Sequence, residues 1–93
     1  MRITNFREQP KGDKNIALFD VEDYEKAGIT YPNIRLKQGK NGGYWVDCPS
    51  YVKSDDGMGN KEWGKYPTFS QEVSKDFSKR VIELLKPFVE FNI

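Results

Sequence analysis

The fold is decided by the stretch 32-PNIRLKQGKNGGYWVDCPS-50. In its first arm, the apolar residues Ile34 and Leu36 alternate with the basic residues Arg35 and Lys37. A period of two is typical of a β-strand that buries one face and exposes the other. This arm therefore predicts a strand whose cations point away from the core.

A glycine-rich turn over residues 39–43 follows this arm. It contains Asn41-Gly42, and Asn-Gly is the strongest short signal for a β-hairpin. Pro49 has no N–H to donate to a neighbouring strand, so the second arm should end there. That arm alternates as the first does, with Tyr44, Val46 and Cys48 on one face and Trp45 and Asp47 on the other. Together the two arms predict one antiparallel hairpin.

Length and composition favour one small globular domain over residues 1–93. Its 15 basic and 14 acidic residues give a net charge of +1, which excludes a strongly basic, histone-like binder but not local basic patches. The single cysteine, Cys48, suits a reducing compartment. No signal peptide follows Met1, and no apolar run approaches the roughly 20 residues of a membrane span. We therefore expect a cytoplasmic protein that does not contact a membrane.

Further strands are predicted on both sides of the central hairpin. Residues 3–7 form a short first strand, and residues 16–22 form a second strand with apolar residues on both faces, as expected for a central strand. After Ser50, residues 51–66 indicate a looser second hairpin with a polar tip over residues 54–60. These segments predict a twisted antiparallel sheet of about five strands.

A C-terminal helix is predicted to begin after Pro67. Thr68 is the expected N-cap, with Gln71 reaching back in a capping box, and Ser70 is the competing cap. Pro87 disfavours helical geometry in the residue before it, so the helix should end or kink there. One apolar face recurs at spacings of three and four, formed by Phe69, Val73, Phe77, Val81, Leu84 and Phe88. The predicted fold class is therefore α+β, with this one helix packed on the sheet.

The apolar surface of this helix is wider than one stripe. Ile82, Leu85 and Val89 form a flank beside the main face, and a helix with so wide an apolar surface is normally covered on two sides. Beyond Pro87, the alternation of Val89, Phe91 and Ile93 predicts a short strand, with a helical continuation as the weaker alternative. Two-fold dimers are the commonest soluble oligomers, so we expect a homodimer through Ile82, Leu85, Val89 and Phe91.

Catalysis is the weakest functional interpretation. The chain has no histidine, so it can assemble neither a Ser-His or Cys-His nucleophile nor a Cys/His zinc site. Cys48 alternates inward with Val46 and is interpreted as a buried structural thiol. The turn over residues 39–43 lacks the spacing of a phosphate-binding loop, and the tip over residues 54–60 lacks that of a calcium loop. We predict no enzymatic activity, cofactor, metal or small-molecule substrate.

Basic residues interleaved with aromatic residues predict a nucleic-acid partner. Trp45, Trp63 and Tyr66 are candidate platforms on which bases can stack. The alternative is that the tryptophans are core and the lysines merely solvate the surface of a protein-interaction or assembly module. The candidate phosphate-binding residues are Arg35, Lys37, Lys40, Lys53, Lys61 and Lys65 on the strands and Lys75, Lys79 and Lys86 on the helix.

Several motifs follow one another in the order found in a known family. They are Ile3-Thr4-Asn5-Phe6-Arg7, Ala17-Leu18-Phe19-Asp20, Ile34-Arg35-Leu36, Gly39, Asn41-Gly42, Trp45-Val46 and Pro49-Ser50. In these motifs the chain resembles the stage V sporulation protein G (SpoVG) family, and the likeness weakens after Ser50. The resemblance implies a small dimeric regulator that binds DNA or RNA, with a role in transcription and in sporulation or septation.

The resemblance also implies basic contacts near the start of the helix. The family pattern places Arg and Lys shortly after a serine-rich cap, whereas this chain has Glu72 and Asp76 in that segment. Lys75 matches the pattern, and Lys79 and Arg80 follow one turn later. These three cations are therefore expected to contact nucleic acid together with the strand cations.

Overall fold

The computed structural model describes residues 1–23 and 28–91, which form an α+β fold of antiparallel strands and one C-terminal helix. The elements are β1 (Arg2–Glu8), β2 (Asn15–Asp23), β3 (Ile29–Gln38), β4 (Tyr44–Asp47), β5 (Ser50–Asp55), β6 (Lys61–Lys65) and α1 (Gln71–Leu85). The first four strands form one sheet in the order β1-β2-β3-β4, and β5 and β6 form a separate two-stranded ribbon. The fold class is as predicted, but the single sheet of about five strands is wrong.

The break between the sheet and the ribbon lies at Pro49. β4 ends at Asp47 and β5 begins at Ser50, because a proline cannot donate to a continued ladder. Every residue of β5 is exposed, so the ribbon has no buried apolar face that would stack it onto the sheet. A hydrogen bond from the Tyr66 N–H to the Pro49 carbonyl, 3.0 Å long, closes the base of the ribbon.

The core lies between one face of the four-stranded sheet and α1. β2 occupies a central position between β1 and β3, as predicted. Strict alternation places Ile16 on the outward side of β2, but it packs against the core because the register shifts between Asn15 and Ala17. The buried core residues are Ala17, Phe19, Val21, Ile34, Leu36, Phe77, Val81 and Leu85.

The side of α1 that faces this core matches the predicted stripe only in part: Phe77 and Val81 are buried as predicted. Two members of that stripe, Val73 and Phe88, are 46% and 50% exposed. Leu85, predicted to lie on the flank, is instead fully buried. Ile82 and Val89, the other two flank residues, pack against the same core. The helix is therefore turned so that its predicted flank faces its own sheet.

Ser78 explains why the sequence pattern was misleading. Its hydroxyl oxygen accepts a hydrogen bond from the backbone N–H of Val46 on β4, at 3.1 Å. A serine is normally assigned to the solvent side of a helix. Burying its hydroxyl nevertheless lowers the stability only a little when the hydroxyl forms a hydrogen bond. Ser78 therefore lies on the sheet-facing side of α1 and fastens the helix to β4.

Ser70 is the N-cap of α1, so the assignment of Thr68 to that position is wrong. The Ser70 hydroxyl accepts a 3.4 Å hydrogen bond from the Val73 N–H, which satisfies one of the free donors of the first turn. The Thr68 hydroxyl instead donates to the carbonyl of Lys65. Thr68 thus belongs to the connection between the ribbon and the helix.

The helix ends at Leu85, just before the region that Pro87 was expected to disrupt. Residues 86–88 form a turn, and residues 89–91 have no regular structure, so both the predicted tail strand and the helical alternative are wrong there. Ile93 lies outside the described residues. The tail packs its rings on the sheet instead: Phe88 stacks on Phe6 and Phe91 meets Tyr44 edge-on, with ring centroids 5.1 and 4.8 Å apart.

Two β-bulges meet around Asp20 on the outer face, which we define as the face of the four-stranded sheet turned away from α1. The register of β1 on β2 shifts near Asn5, and that of β2 on β3 shifts near Asn33; both asparagines have left-handed backbones, with φ of 51° and 56°. The Asp20 carboxylate accepts the Asn33 N–H at 3.0 Å and the Asn5 amide at 3.4 Å. Asp20 therefore holds both irregular strands in place.

Candidate nucleic-acid interface

The outer face carries the strand cations that the sequence assigned to nucleic acid. On β3, Arg35 and Lys37 alternate with the buried residues Ile34 and Leu36, so they lie on the side of the sheet opposite α1. In cross-strand register, Arg35 lies between Leu18 and Asp47, and Lys37 lies between Asn15 and Trp45. The predicted alternation of this hairpin is confirmed.

Asp47 joins the outer face to the ribbon. Its carboxylate forms an ion pair with the Lys37 ammonium on β3 at 3.0 Å and another with Lys65 on β6. Burial acts to raise the pKa of Asp47, but hydrogen bonds and charge from Lys65 and Lys37 outweigh it and hold the pKa below its ordinary value. Asp47 is therefore ionised at neutral pH and engages two of the predicted phosphate-binding lysines. The sequence placed Asp47 on this face but gave no sign of that role.

Three other cations of this surface form no ion pair within residues 1–23 and 28–91. Lys40 at the hairpin turn and Lys61 at the start of β6 are both exposed. Arg35 is half-buried, and its Nε lacks an acceptor among the described residues. A buried N–H donor that has no acceptor lowers the stability of the folded state by about 1–3 kcal/mol. These three groups are therefore the ones most available to a phosphate, whereas Lys53 lies 3.6 Å from Glu62.

The aromatic residues proposed as stacking platforms are exposed. Trp45 is 44% exposed, Trp63 is 61% exposed and Tyr66 is 56% exposed. The alternative that both tryptophans belong to the core is therefore wrong. The Trp45 ring lies over Gly39, where an added Cβ would stand 3.1 Å from its Cζ3. The glycine leaves room for the indole at the surface.

The helix cations lie on the other side of the molecule. Lys75 and Lys79 are exposed on α1, which packs against the core face of the sheet. Lys86 forms an ion pair with Glu83 at 2.9 Å, and Arg80 is also engaged with another group, so neither of these two cations is free. Lys75 and Lys79 therefore lie on the side of the sheet opposite Arg35 and Lys37.

The residues assigned to a dimer interface are mostly engaged within the chain. Leu85 is fully buried in the core, so it offers no surface to a partner. Ile82 and Val89 are half-buried against the same core, and the Phe91 ring is packed on Tyr44. Apolar side chains that remain exposed on the helix side include Val73 and Phe88.

Cys48 is a free, half-buried cysteine that directly follows Asp47, between β4 and the ribbon. Burial raises the pKa of its thiol, and the nearby Asp47 charge raises it further, so the thiol is neutral at physiological pH.

Among the described residues there is no group of three or more His, Cys, Asp or Glu side chains placed to hold a metal ion. Nor, within those residues, is any helix both long and apolar enough to cross a membrane.

Comparison with models of protein families, with curated proteins and with solved structures finds no match. The resemblance to the SpoVG family therefore stays a prediction that rests on the quoted motifs.

Proposed function

We propose that this chain binds nucleic acid without catalysis, through the outer face of its sheet and the adjoining ribbon. The observation that carries the proposal is the position of the predicted row of Arg35, Lys37 and Lys40. The row runs along β3 to the hairpin turn on the face that the chain does not use for its own core. A basic row on a free face is the electrostatic footprint of a phosphate-binding surface.

The local charge supports this proposal better than the net charge of +1 does. At the junction of sheet and ribbon, the single carboxylate of Asp47 faces the three cations Arg35, Lys37 and Lys65. Arg35 is the best suited of these to a phosphate, because its planar guanidinium donates in a fork that matches phosphate oxygens. Positive charge is therefore in excess at this junction, and Lys40 adds to it at the neighbouring turn.

The wider setting is proposed from the sequence motifs. A cytoplasmic regulator of the SpoVG type would act as a homodimer, and the exposed side chains of Val73 and Phe88 supply apolar surface for self-association on the helix side. The same exposed residues support the second candidate, a protein-assembly module that binds no nucleic acid. In a dimer built on the helix side, the outer faces of both protomers remain open to nucleic acid.

Two matched double variants test which surface binds. Arg35→Gln with Lys40→Gln removes two cations from the outer face, and Lys75→Gln with Lys79→Gln removes two from the helix; none of the four has an ion pair among the described residues. Binding to DNA and RNA is measured over a range of salt concentrations. We expect the outer-face variant to bind more weakly and to reduce the salt slope by about 0.7–0.9 for each phosphate that it no longer neutralises.

The helix variant is the control for a general loss of charge, and it should bind like the unmodified chain. If the helix variant loses affinity and the outer-face variant does not, binding is on the other side of the molecule and the proposed surface is wrong. If no nucleic acid binds even at low salt, nucleic-acid binding fails as a whole, and a concentration-dependent oligomer through Val73 and Phe88 would favour the assembly module.

A further inference from the structure

We infer that the nucleic acid taken by this surface is single-stranded, with bases stacked on Trp45 and Trp63. The inference rests on the proposed function and specifies its ligand. It is carried by the placement of the two exposed indoles around the junction of sheet and ribbon.

The ion pair between Asp47 and Lys65 makes the two indoles parts of one surface. Trp45 and Asp47 lie two residues apart on β4, on the same face, and Trp63 and Lys65 stand in the same relation on β6. A separation of two residues along a strand is about 6.6 Å. Each indole is therefore roughly one such step from the junction, along its own strand, with the ammonium groups of Lys37 and Lys65 between them.

Neither indole is needed to fill the core. Trp45 is 44% exposed and Trp63 is 61% exposed, and neither belongs to the hydrophobic cluster under α1. Trp63 lies opposite Val52 on the ribbon, and that valine is itself 43% exposed. Large aromatic side chains held at the surface beside cations are the recurring feature of sites that bind unpaired bases.

A duplex cannot use these platforms, because its bases are stacked on one another and show only their edges in the grooves. A single strand exposes the flat faces of its bases, and stacking on an aromatic ring is tolerant of sequence. The arrangement of the cations also favours a single strand. Two of the lysines at the junction are already paired with Asp47. The surface can therefore contact a few phosphates, but it has no long row of unpaired cations that would follow the backbone of a duplex.

Tryptophan fluorescence tests the inference directly, because the chain has two tryptophans and both lie on this surface. The probes are a thymidine oligonucleotide and a uridine oligonucleotide of about 12 nucleotides, within the range of known single-strand site sizes. A DNA duplex of the same length is the comparison. We expect both single strands to bind and to quench the emission, and the duplex to bind at least roughly tenfold more weakly.

Three single variants show whether stacking causes the quenching. Trp45→Leu and Trp63→Leu keep an apolar side chain but remove the flat ring, and each should weaken single-strand binding by roughly tenfold. Phe88→Leu is the control, since Phe88 is an aromatic residue 50% exposed that lies on the tail after α1, outside the proposed surface. Trp63→Phe should restore most of the affinity that Trp63→Leu removes.

The outcomes separate this inference from the proposed function. Equal or tighter binding of the duplex, with no quenching, would overturn the single-strand inference and leave phosphate binding intact. The single-strand inference is also wrong if both tryptophan variants bind the oligonucleotides as well as the Phe88→Leu control does. Failure of every probe to bind at low salt would overturn the proposed function itself.

Discussion

The four-stranded sheet and the β5–β6 ribbon use large apolar residues in opposite ways. In the sheet, Phe19 and Ile34 are completely buried under α1. In the ribbon, Trp63 and Tyr51 are 61% and 47% exposed although they belong to a regular antiparallel pair. The sheet thus uses its apolar surface to stabilise the fold, whereas the apolar side chains of the ribbon remain largely in solvent.

The ribbon has few internal supports of its own. Tyr51 lies over Gly64, where an added Cβ would stand 2.7 Å from the ring, and aromatic cover of a strand glycine is a known device for stabilising a hairpin. An isolated two-stranded hairpin is only marginally stable in water. The ribbon therefore depends on its attachment to the sheet through Asp47 and Pro49, and it should open locally before the core does.

The largest difference in the free energy of unfolding is expected between variants of Phe19, which is buried in the sheet, and Trp63, which is exposed on the ribbon. Phe19→Ala removes a fully buried side chain and should lower the free energy of unfolding by about 3–5 kcal/mol. Trp63→Ala should change it by no more than about 0.5 kcal/mol, because the side chain is mostly in solvent. Urea unfolding followed by circular dichroism measures both. A large loss of stability in Trp63→Ala would mean that the ribbon unfolds as part of the core.

A second prediction compares one aspartate in each region. Asp20 accepts hydrogen bonds from Asn33 and Asn5 in the sheet, and Asp56 accepts them from Met58 and Asn60 at the tip of the ribbon. Asp20→Ala removes the acceptor shared by the two β-bulges and should lower the free energy of unfolding by about 1.5–3 kcal/mol, the range for hydrogen bonds to a charged group.

Asp56→Ala is the control, because it removes a similar set of bonds from an exposed tip. It should leave the free energy of unfolding unchanged and only speed hydrogen exchange at neighbouring amides. Equal losses of stability in the two variants would show that the tip and the sheet form one cooperative unit.

The sequence predicted which residues of the strands are buried, but it did not predict which side of α1 faces the sheet. The alternation in β2 and β3 predicted the inward positions of Phe19 and Ile34, because the side-chain period of a strand is a local property. The side of α1 that faces the sheet depends on the bond between Ser78 and Val46, which are 32 residues apart. Long-range pairs of this kind leave no periodic signal, so the pattern did not predict the rotation of the helix.

The separation of the ribbon from the sheet was not predicted for a related reason. Alternating residues in β5 and β6 look the same whether a strand extends one sheet or begins another. The sequence also gave Trp45 and Trp63 as possible stacking platforms without deciding their exposure, because an indole suits a core and a binding surface equally well. Only the packing around Gly39 and the exposure of the ribbon distinguish these possibilities.

A third prediction, with a smaller loss of stability than Asp20→Ala, concerns Asp47, which connects the two regions. Asp47→Asn removes the charge that pairs with Lys37 and Lys65, and partly exposed pairs of this kind contribute roughly 0.2–1 kcal/mol each. Because the pKa of Asp47 is lowered in the folded chain, its contribution is complete above the ordinary aspartate value of about 3.9 and is lost as the pH falls through the lowered pKa. Unfolding free energies of the variant and the unmodified chain should therefore differ at neutral pH and converge in acid.

The same variant should bind nucleic acid more tightly. Asp47 neutralises two lysines at the centre of the proposed surface, so its removal frees them for phosphates and should steepen the salt slope by up to about 0.7 for each additional phosphate of a single strand that is neutralised. Glu62→Gln is the matched control, because it frees Lys53 from a comparable but more exposed pair on the ribbon. Weaker binding by Asp47→Asn, with the fold retained, would mean that the carboxylate positions Lys37 and Lys65 for the ligand and does not compete with it. The sign of the change in affinity thus decides whether the link between sheet and ribbon opposes binding or prepares the surface for it.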